Sequence, residues 1–503
     1  MTAASLRRTA RSYAAFYFLF FITLIALHWP VLSLPYFWDE LGQFIPAALD
    51  IRQLGAWIPK TTLPNVHPPG VMAWLAAVWS IFGYSIVATR VAMLAIAALG
   101  LLATFLVAIE LCRGLNGMPA FIAPALLLAS PLFWSQSMMA QLDMPAMTFT
   151  LLALWLFLRG QIAACVISCT VLVLCKETGL VVPLVLGCGL ILKRRFVAAA
   201  AFLIPALALT IWLFALHRAT GHWLGNQEFT HYNITFQLHP IRLPVTLARR
   251  FFYLFIDNLH LAGTLAIIYA LRRRPEVYRN QGWVIVVTVA LVHIIAVSVL
   301  GGAALERYLL PVIPLYYIAV TVALTTLGRF ARASIALGMV LVLLTAIAIS
   351  SPLAYPFENN GAFVSFVRLQ ERAADYITHD LPGRTVTSAW PFPDALRRPE
   401  FGYVTKPVAV HGIENFNPET VFRLAGHVDV LVLYSRTWEP NWGVLQAPWV
   451  AEFLTKYYFY KPQVTAGEIR AVLGLYPIAR WEENGQWIEI YTRTPSGSPT
   501  LVL

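Results

Sequence analysis

Two adjacent carboxylates, Asp39 and Glu40, are the residues of this sequence whose type and position best suit chemistry. They follow the first long apolar segment directly and stand beside the aromatic residues Phe37 and Trp38. An acidic pair at the mouth of a membrane span can act as a catalytic base, as a metal ligand or as an ion-coupling group. The choice among these depends on the other polar residues of the chain.

The remaining acidic residues of the apolar part gather at one predicted edge of it. Of the 25 acidic residues, 15 follow Tyr355, so that ten lie in the first 354 positions. An ionised carboxylate within hydrocarbon is costly, so each of the ten asks for a reason. Two of them, Glu110 and Glu276, fall on the predicted cytoplasmic side. The others lie at or near the predicted outer ends of spans: Asp39, Glu40, Asp50, Asp143, Glu177, Glu228, Asp257 and Glu306.

Basic residues and histidines are predicted on the same outer side. They are Lys60, His67, Lys176, His222, His231, Arg242, Arg249, Arg250 and Arg307. Carboxylates and cations gathered at one face describe a polar cavity. Lysine supplies a point charge and arginine a two-pronged donor for phosphate oxygens, so this cavity suits an anion. A phosphate presented at a membrane surface suggests a lipid phosphate.

The composition indicates a polytopic membrane protein with a lipid bilayer as its surroundings. The 503 residues are 59% hydrophobic and 12% charged, with a mean hydropathy of +0.67, whereas about a quarter of the residues of a soluble domain are charged. The net charge of +11 comes from short clusters between apolar segments, which is typical of topology signals and excludes nucleic acid as a partner. The five cysteines lack zinc-site spacing and are interpreted as core residues.

Apolar windows able to cross roughly 30 Å of hydrocarbon predict about eleven spans. They begin near Tyr13, Ala88, Met118, Met144, Ile162, Thr178, Phe196, Phe251, Gly282, Tyr308 and Ala333. The first is interpreted as a retained signal anchor, because no small-residue cleavage site follows it. A shorter apolar helix over 70–82 is predicted to lie in the membrane interface.

The basic loops predict the orientation of the spans. Arg113, Arg159, Lys193-Arg194-Arg195, Arg272-Arg273-Arg274, Arg279, Arg329 and Arg332 all fall on one side, which the positive-inside rule assigns to the cytoplasm. The amino terminus is then inside, and everything after about residue 354 lies outside. The predicted location is multi-pass in a bacterial inner membrane, with the carboxy-terminal domain extracytoplasmic. The predicted domains are a membrane domain over 1–354, with an outer loop over 32–87, and a soluble domain over 355–503.

The soluble domain is predicted to be a small α/β fold. Helical periodicity covers 363–378 and the region near 449–458. Strand-like patterns cover 384–390, 429–434 and 487–491. The fold class is therefore a polytopic all-α membrane protein with a small carboxy-terminal α/β domain.

Five short motifs occur in order along the membrane part. They are Phe37-Trp38-Asp39-Glu40-Leu41-Gly42-Gln43-Phe44, His67-Pro68-Pro69-Gly70 with Trp74, Gln141-Leu142-Asp143-Met144-Pro145, Lys176-Glu177 and Arg307-Tyr308-Leu309-Leu310-Pro311. Together they resemble the GT-C superfamily of integral-membrane glycosyltransferases, in the bacterial branch related to protein O-mannosyltransferases and to the aminoarabinose transferase ArnT. His67 stands where ArnT-like members usually have lysine.

The resemblance implies transfer of a sugar from a polyprenyl-phosphate donor to an acceptor on the outer face, with inversion at the anomeric carbon. It leaves open whether the acceptor is a lipid, a glycan or a protein. Asp39 is then the expected base and Glu40 an auxiliary, which acts as a metal ligand, as a partner that tunes the pKa of Asp39 or as an orienting group. The residues expected at the donor phosphate are Lys60, His67, Lys176, Arg307 and Tyr308. Asp143 forms a second acidic site, and the one candidate cofactor is a divalent metal ion held by Asp39, Glu40 or Asp143.

Other interpretations of these residues stay open from the sequence. Asp143 can cap the helix that starts at Met144-Pro145, and Glu40 can be a solvated surface residue. Lys176 with Glu177, and Glu306 with Arg307, can be surface ion pairs of little energetic value. For the whole chain, the alternative function is a polytopic transporter or flippase of a lipid-linked or anionic substrate, which would place ionisable groups near the membrane midplane.

Overall fold

The computed structural model describes residues 3–113, 115, 120–301, 305–349, 355–436 and 447–493, with side chains from Ser12 onward. The predicted span start at Met118 lies outside the described residues. The chain forms two compact units. The first contains Met1–Leu32 and Phe44–Ile349, and the second contains Ser33–Gln43 and Ser350–Leu503.

The first unit is built from apolar helices. Their bounds are Ala3–His28, Ile45–Leu54, Gly70–Phe82, Ile86–Leu111, Ile122–Ala129, Pro131–Met138, Asp143–Leu158, Ile162–Cys175, Val181–Leu192, Phe196–Ala200, Leu203–Thr220, Gln227–Thr230, Arg242–Phe255, His260–Arg273, Gly282–Leu300, Ile313–Leu324 and Arg329–Ala348. Short 3-10 turns at Glu177–Leu180 and Glu306–Leu309 precede two of them. Every predicted span whose start is described overlaps one of these helices.

Five helices of the described residues are long and apolar enough to cross a membrane by themselves, or up to seven if two bent pairs each count as one. The five are Ser12–Val31, Ile86–Leu111, Phe196–Thr220, Gly282–Leu300 and Arg329–Ala348. The bent pairs are Pro131–Met138 with Asp143–Leu158, at 107°, and Arg242–Phe255 with Asp257–Arg273, at 48°. Several of the predicted spans are shorter helices of 10–17 residues, including Ile162–Cys175 and Ile313–Leu324. The multi-pass helical membrane fold is confirmed.

Local sequence signals begin the helices that matter for the site. Ser85 caps Ile86–Leu111 because its side chain accepts a hydrogen bond from the Ala88 amide. Ser130 caps Pro131–Met138, with Pro131 in the first turn, where its missing N–H is not needed. The apolar stretch of Ile86–Leu111 is 78% buried within the protein, whereas that of Arg329–Ala348 is 11% buried. Ile86–Leu111 therefore lies at the centre of this unit.

The second unit is the predicted small α/β domain, which is confirmed. Its strands are β1 Val386–Ala389, β2 Val410–Ile413, β3 Val430–Tyr434, β4 Tyr476–Glu483 and β5 Gln486–Thr492, in the sheet order β2-β1-β3-β5-β4. β1 pairs in parallel with β2 and β3, and β5 pairs antiparallel with β3 and β4. Its helices are Ala362–Asp380, Phe392–Arg397, Pro418–Phe422, Pro448–Tyr458 and Ala466–Leu473. The short segment Ser33–Gln43 belongs to this unit, although helices of the first unit flank it in the chain.

Candidate active site

Asp143 is the first residue of the second helix of a bent pair, and its carboxylate pairs with two positively charged side chains. This second helix is Asp143–Leu158, and the preceding residue Leu142 occupies its N-cap position. Its Oδ1 accepts a hydrogen bond from Lys176 Nζ, and its Oδ2 lies 3.4 Å from Arg307 Nε. All three side chains are buried. Asp143 is therefore not the N-cap of this helix, and its carboxylate pairs with cations within the helical unit.

Lys176 and Arg307 reach Asp143 from two different turns. Lys176 follows Ile162–Cys175 with an extended backbone, and its Nζ lies 4.3 Å from the centre of the Tyr308 ring, a cation–π distance. Arg307 belongs to the 3-10 turn Glu306–Leu309 and donates through Nη1 to Gln141 Oε1 at 2.6 Å. Gln141 itself sits in the break between the bent helices, so the break supplies both an acceptor for Arg307 and the carboxylate.

Arg250, which the sequence predicts only as one of the outer cations, joins these residues. Its guanidinium carbon lies 5.7 Å from the Tyr308 ring centre, and its Nη2 donates to the Val297 carbonyl at 3.0 Å. Its buried Nε has no hydrogen-bond partner among the described residues. The signal that could have found it is periodicity, because Arg242, Thr246 and Arg250 recur every four residues on the buried side of Arg242–Phe255.

We call Asp143, Lys176, Arg250, Arg307 and Tyr308 the cationic cluster. It combines three buried cations with one carboxylate, so its side chains carry a net positive charge. Burying an ion without compensation is costly, and an anion that received these donors would supply the missing charge. Arginine and lysine donors match phosphate oxygens in particular. The cluster therefore has the chemistry of a phosphate site.

Lys176, Glu177, Glu306 and Arg307 all have charged or ionisable partners far from them in the chain. Lys176 pairs with Asp143, and Glu177 instead pairs with His67, whose Nδ1 lies 2.9 Å from Glu177 Oε2. Glu306 likewise pairs with Arg249, at 2.5 Å, while Arg307 turns to Asp143. The surface-pair interpretations are therefore wrong, because Lys176, Arg307 and Glu306 are buried.

The other two predicted phosphate ligands, His67 and Lys60, contact residues outside the cationic cluster. His67 contacts the residue next to Lys176 through its bond to Glu177, so it supports the turn that carries Lys176. Lys60 has an exposed side chain, and its backbone amide donates to Asp50 Oδ2 at 2.6 Å. Asp143, Lys176, Arg307 and Tyr308 are the predicted residues that the fold brings together.

Asp39 and Glu40 belong to the second unit, where their environments differ. Glu40 is fully buried, and its Oε2 accepts a hydrogen bond from the Phe37 amide at 2.8 Å. The solvated interpretation of Glu40 is therefore wrong, since its side chain closes the turn from Phe37. Asp39 is partly exposed and stands directly before the π-helical turn Glu40–Phe44.

The described residues offer a poor fit for the predicted divalent metal ion at Asp143. No group of three or more His, Cys, Asp or Glu residues able to hold a metal occurs in the part of the chain that the structure describes. Both oxygens of Asp143 face cations, and one oxygen of Glu40 is taken by a backbone amide. A divalent cation at Asp143 would be repelled by the two positive side chains that already pair with its oxygens.

Comparison with known proteins identifies the architecture. No protein-family model and no curated protein matches the chain. The crystal structure of ArnT from Cupriavidus metallidurans bound to undecaprenyl phosphate is similar at 15% identity and a TM-score of 0.53, covering 97% of this chain and 98% of that one. The apo structure of the same ArnT is similar at 15% identity and a TM-score of 0.54, covering 95% and 98%. The chain therefore shares the fold of these ArnT structures along nearly its whole length.

Proposed function

We propose that the protein is an inverting glycosyltransferase that moves a sugar from a polyprenyl-phosphate donor to an acceptor on the outer face of the membrane. The observation that carries the proposal is the cationic cluster, with three buried cations to one carboxylate inside a unit of membrane helices. A structure of ArnT with this fold has undecaprenyl phosphate bound, which supports a lipid phosphate as the anion.

The cationic cluster would stabilise the leaving group. When the bond between the anomeric carbon and the phosphate oxygen breaks, its electron pair stays on the phosphate, whose negative charge grows. Fixed donors aimed at this charge lower the barrier more than mobile water does. In our proposal these hydrogen-bond donors are Lys176, Arg250 and Arg307. Asp143 pairs with Lys176 and Arg307 and holds them in place before the lipid-linked sugar binds.

Asp39 would act on the acceptor. In a single displacement, the acceptor oxygen attacks the anomeric carbon from the face opposite the phosphate, which inverts the configuration. The attacking hydroxyl gives its proton to Asp39, whose side chain is partly exposed and thus accessible. Glu40 is fully buried and bound to the Phe37 amide, so we assign it the orienting role.

A transporter or flippase of lipid-linked substrates is the second candidate, and one observation favours it. The helices Pro131–Met138 and Asp143–Leu158 are bent by 107° at the break between them. Broken helices with charged residues at the break are typical of transporter substrate sites. The two functions differ in whether a covalent bond changes.

The test is sugar transfer in reconstituted vesicles. The purified protein is given a panel of polyprenyl-phosphate sugars together with lipid, glycan and protein acceptors, and the released polyprenyl phosphate and the glycosylated acceptor are measured. We expect Lys176→Met to lower turnover by about 100-fold, the range seen when one transition-state donor is lost. Lys193→Met is the matched control, because Lys193 is exposed directly after Val181–Leu192, and it should leave turnover unchanged.

The same assay separates the alternatives. We expect Asp39→Asn to lower turnover strongly while binding of undecaprenyl phosphate, measured by thermal shift, is retained. Full turnover in Asp39→Asn would remove Asp39 as the base. Movement of intact donor across the vesicle membrane, without release of sugar by the wild type, would favour the flippase and contradict the proposed transfer.

A further inference from the structure

The segment that carries the proposed base is held by the carboxy-terminal domain. Within the second unit, the Tyr36 amide donates to the Phe401 carbonyl at 3.3 Å, and the Tyr403 hydroxyl donates to the Tyr36 carbonyl at 2.8 Å. Both contacts join a residue of Ser33–Gln43 to residues more than 360 positions later in the chain. The start of the acidic segment is thereby fixed by hydrogen bonds to the backbone of Tyr36.

Aromatic packing continues directly up to the acidic pair. The Phe37 ring packs edge-on against Phe363 and Phe366, with ring centres 5.9 and 5.5 Å apart. The Trp38 ring packs edge-on against Trp390, with centres 4.8 Å apart. Trp38 has a φ of 47°, in the left-handed region that a bulky side chain avoids, so surrounding contacts must hold it there.

The same tryptophan contacts the segment on the other side of the pair. A Cβ atom added to Gly42 would lie 3.0 Å from Trp390 Cζ2 and 3.2 Å from its Nε1. Only glycine allows this approach without displacing the indole. Trp390 therefore packs on Trp38 and on Gly42, the residues that flank Asp39, Glu40 and Leu41 in the chain.

We propose that Trp390 is a positioning residue, and that the carboxy-terminal domain uses it to fix the direction of the Asp39 carboxylate. The inference rests on the proposed function, in which Asp39 is the base. Trp390 does not itself handle protons in this proposal; it holds the backbone from Trp38 to Gly42. A shift of about 1 Å at a catalytic group can cost about 100-fold in rate, so this packing is expected to matter for turnover.

The first experiment measures position without requiring turnover. Hydrogen exchange of full-length protein in nanodiscs is followed in peptides that cover residues 33–43. Trp390→Ala should raise exchange there at least several-fold, and Trp390→Phe, which keeps an aromatic ring, should raise it less. Trp481→Ala is the matched control, because Trp481 pairs with Tyr376 at 5.6 Å in the same domain, and it should leave this peptide unchanged.

The second experiment measures the consequence for catalysis. Trp390→Ala should lower kcat by about 10-fold or more while KM for the lipid donor stays within about twofold, and Trp390→Phe should recover most of the rate. Gly42→Ala should lower kcat in the same way. The double variant Gly42→Ala with Trp390→Phe should have a higher kcat than Gly42→Ala alone, because the smaller ring makes room for the methyl group.

The two readouts keep the failures apart. If the wild type transfers no sugar, the proposed function fails, but exchange still decides whether Trp390 holds the segment. Unchanged exchange in both Trp390→Ala and Gly42→Ala would overturn the positioning role. So would faster exchange with full turnover, or an equal loss of kcat in Trp481→Ala.

Discussion

Asp143 contacts two buried cations, so one substitution removes the counter-charge of both. Asp143→Asn keeps the side-chain shape but leaves Lys176 and Arg307 without their carboxylate. Breaking a buried ion pair by removing one partner destabilises a protein by about 3 to 5 kcal/mol. We expect a loss of about 3 kcal/mol or more in the free energy of unfolding of the detergent-solubilised protein, measured by chemical denaturation.

An exposed ion pair provides the control for Asp143→Asn. Glu419 accepts a hydrogen bond from Lys461 at 2.7 Å, and its side chain is 74% exposed. Water screens such a pair, so Glu419→Gln should leave the stability unchanged within error. Equal stability losses for the two substitutions would contradict the view that burial makes the Asp143 pairs important.

Glu371 gives the second unit a predicted pH dependence. It lies on Ala362–Asp380, where burial, helped by nearby Asp375 and opposed by Arg368, raises the pKa of Glu371 from 4.5 to about 7. As the pH rises, the folded state therefore keeps the Glu371 proton to a higher pH than the unfolded state does. The stabilisation of the folded state by protonated Glu371 is fully present below about pH 4.5 and is lost as the pH rises through about 7. Because the side chain is partly exposed, we expect this stabilisation to be on the order of 1 kcal/mol.

Replacing the carboxyl group tests this dependence. Glu371→Gln cannot ionise, so the loss of thermal stability of the full-length protein between pH 5 and pH 8 should be smaller than in the wild type. Glu452→Gln, at an exposed glutamate on Pro448–Tyr458, should keep the wild-type difference. A Glu371→Gln variant whose stability falls with pH as steeply as that of the wild type would disprove the raised pKa.

At the scale of elements, the helix Gly70–Phe82 supports the turn that carries Lys176. A Cβ atom on Gly70 would lie 2.4 Å from the Leu174 carbonyl oxygen and 2.8 Å from its carbon. Backbone atoms cannot swing aside as the end of a side chain can, so Gly70→Ala must push the two helix ends apart. We expect a loss of about 1 to 3 kcal/mol in stability and weaker binding of undecaprenyl phosphate, both measured on the purified protein.

The control for this substitution is a glycine with open space. A Cβ atom on Gly467, in Ala466–Leu473, would meet nothing within 4 Å. Gly467→Ala should therefore be neutral or slightly stabilising, by about 0.4 to 1 kcal/mol. Weakened phosphate binding in Gly467→Ala would mean that the Gly70 result does not report on the helix contact.

The sequence predicted elements better than the partners of side chains. The helix Gly70–Phe82 has its expected bounds, β1 and β3 lie within the expected segments, and β5 extends one residue beyond its expected segment at each end. β4 was missed because Pro477, a register shift and charged residues interrupt its alternation. The Lys176 and Glu177 partners were missed for a different reason. Lys176 is extended, with φ −152° and ψ 127°, so successive side chains diverge, a conformation that local pattern does not reveal.

At the scale of the molecule, the second unit constrains the membrane topology. Ser33–Gln43 and the carboxy-terminal residues form one compact unit, so both lie on the same side of the membrane. The chain between Phe44 and Ile349 must therefore cross the membrane an even number of times. We expect that side to be the exterior, because the positive-inside rule assigns the opposite side, where the basic loops are predicted, to the cytoplasm.

Cysteine labelling tests this orientation at two matched glycines. Gly412 and Gly328 are both exposed, and an added Cβ atom at either would meet nothing within 4 Å, so cysteine fits both positions. In a Cys188→Ser background, since Cys188 is the exposed cysteine of the described residues, a membrane-impermeant maleimide should label Gly412→Cys in spheroplasts. Gly328→Cys, next to Arg329, should react only after the inner membrane is permeabilised. The reverse pattern would place Asp39 and the carboxy-terminal domain in the cytoplasm, where an outer-face acceptor could not reach the proposed base.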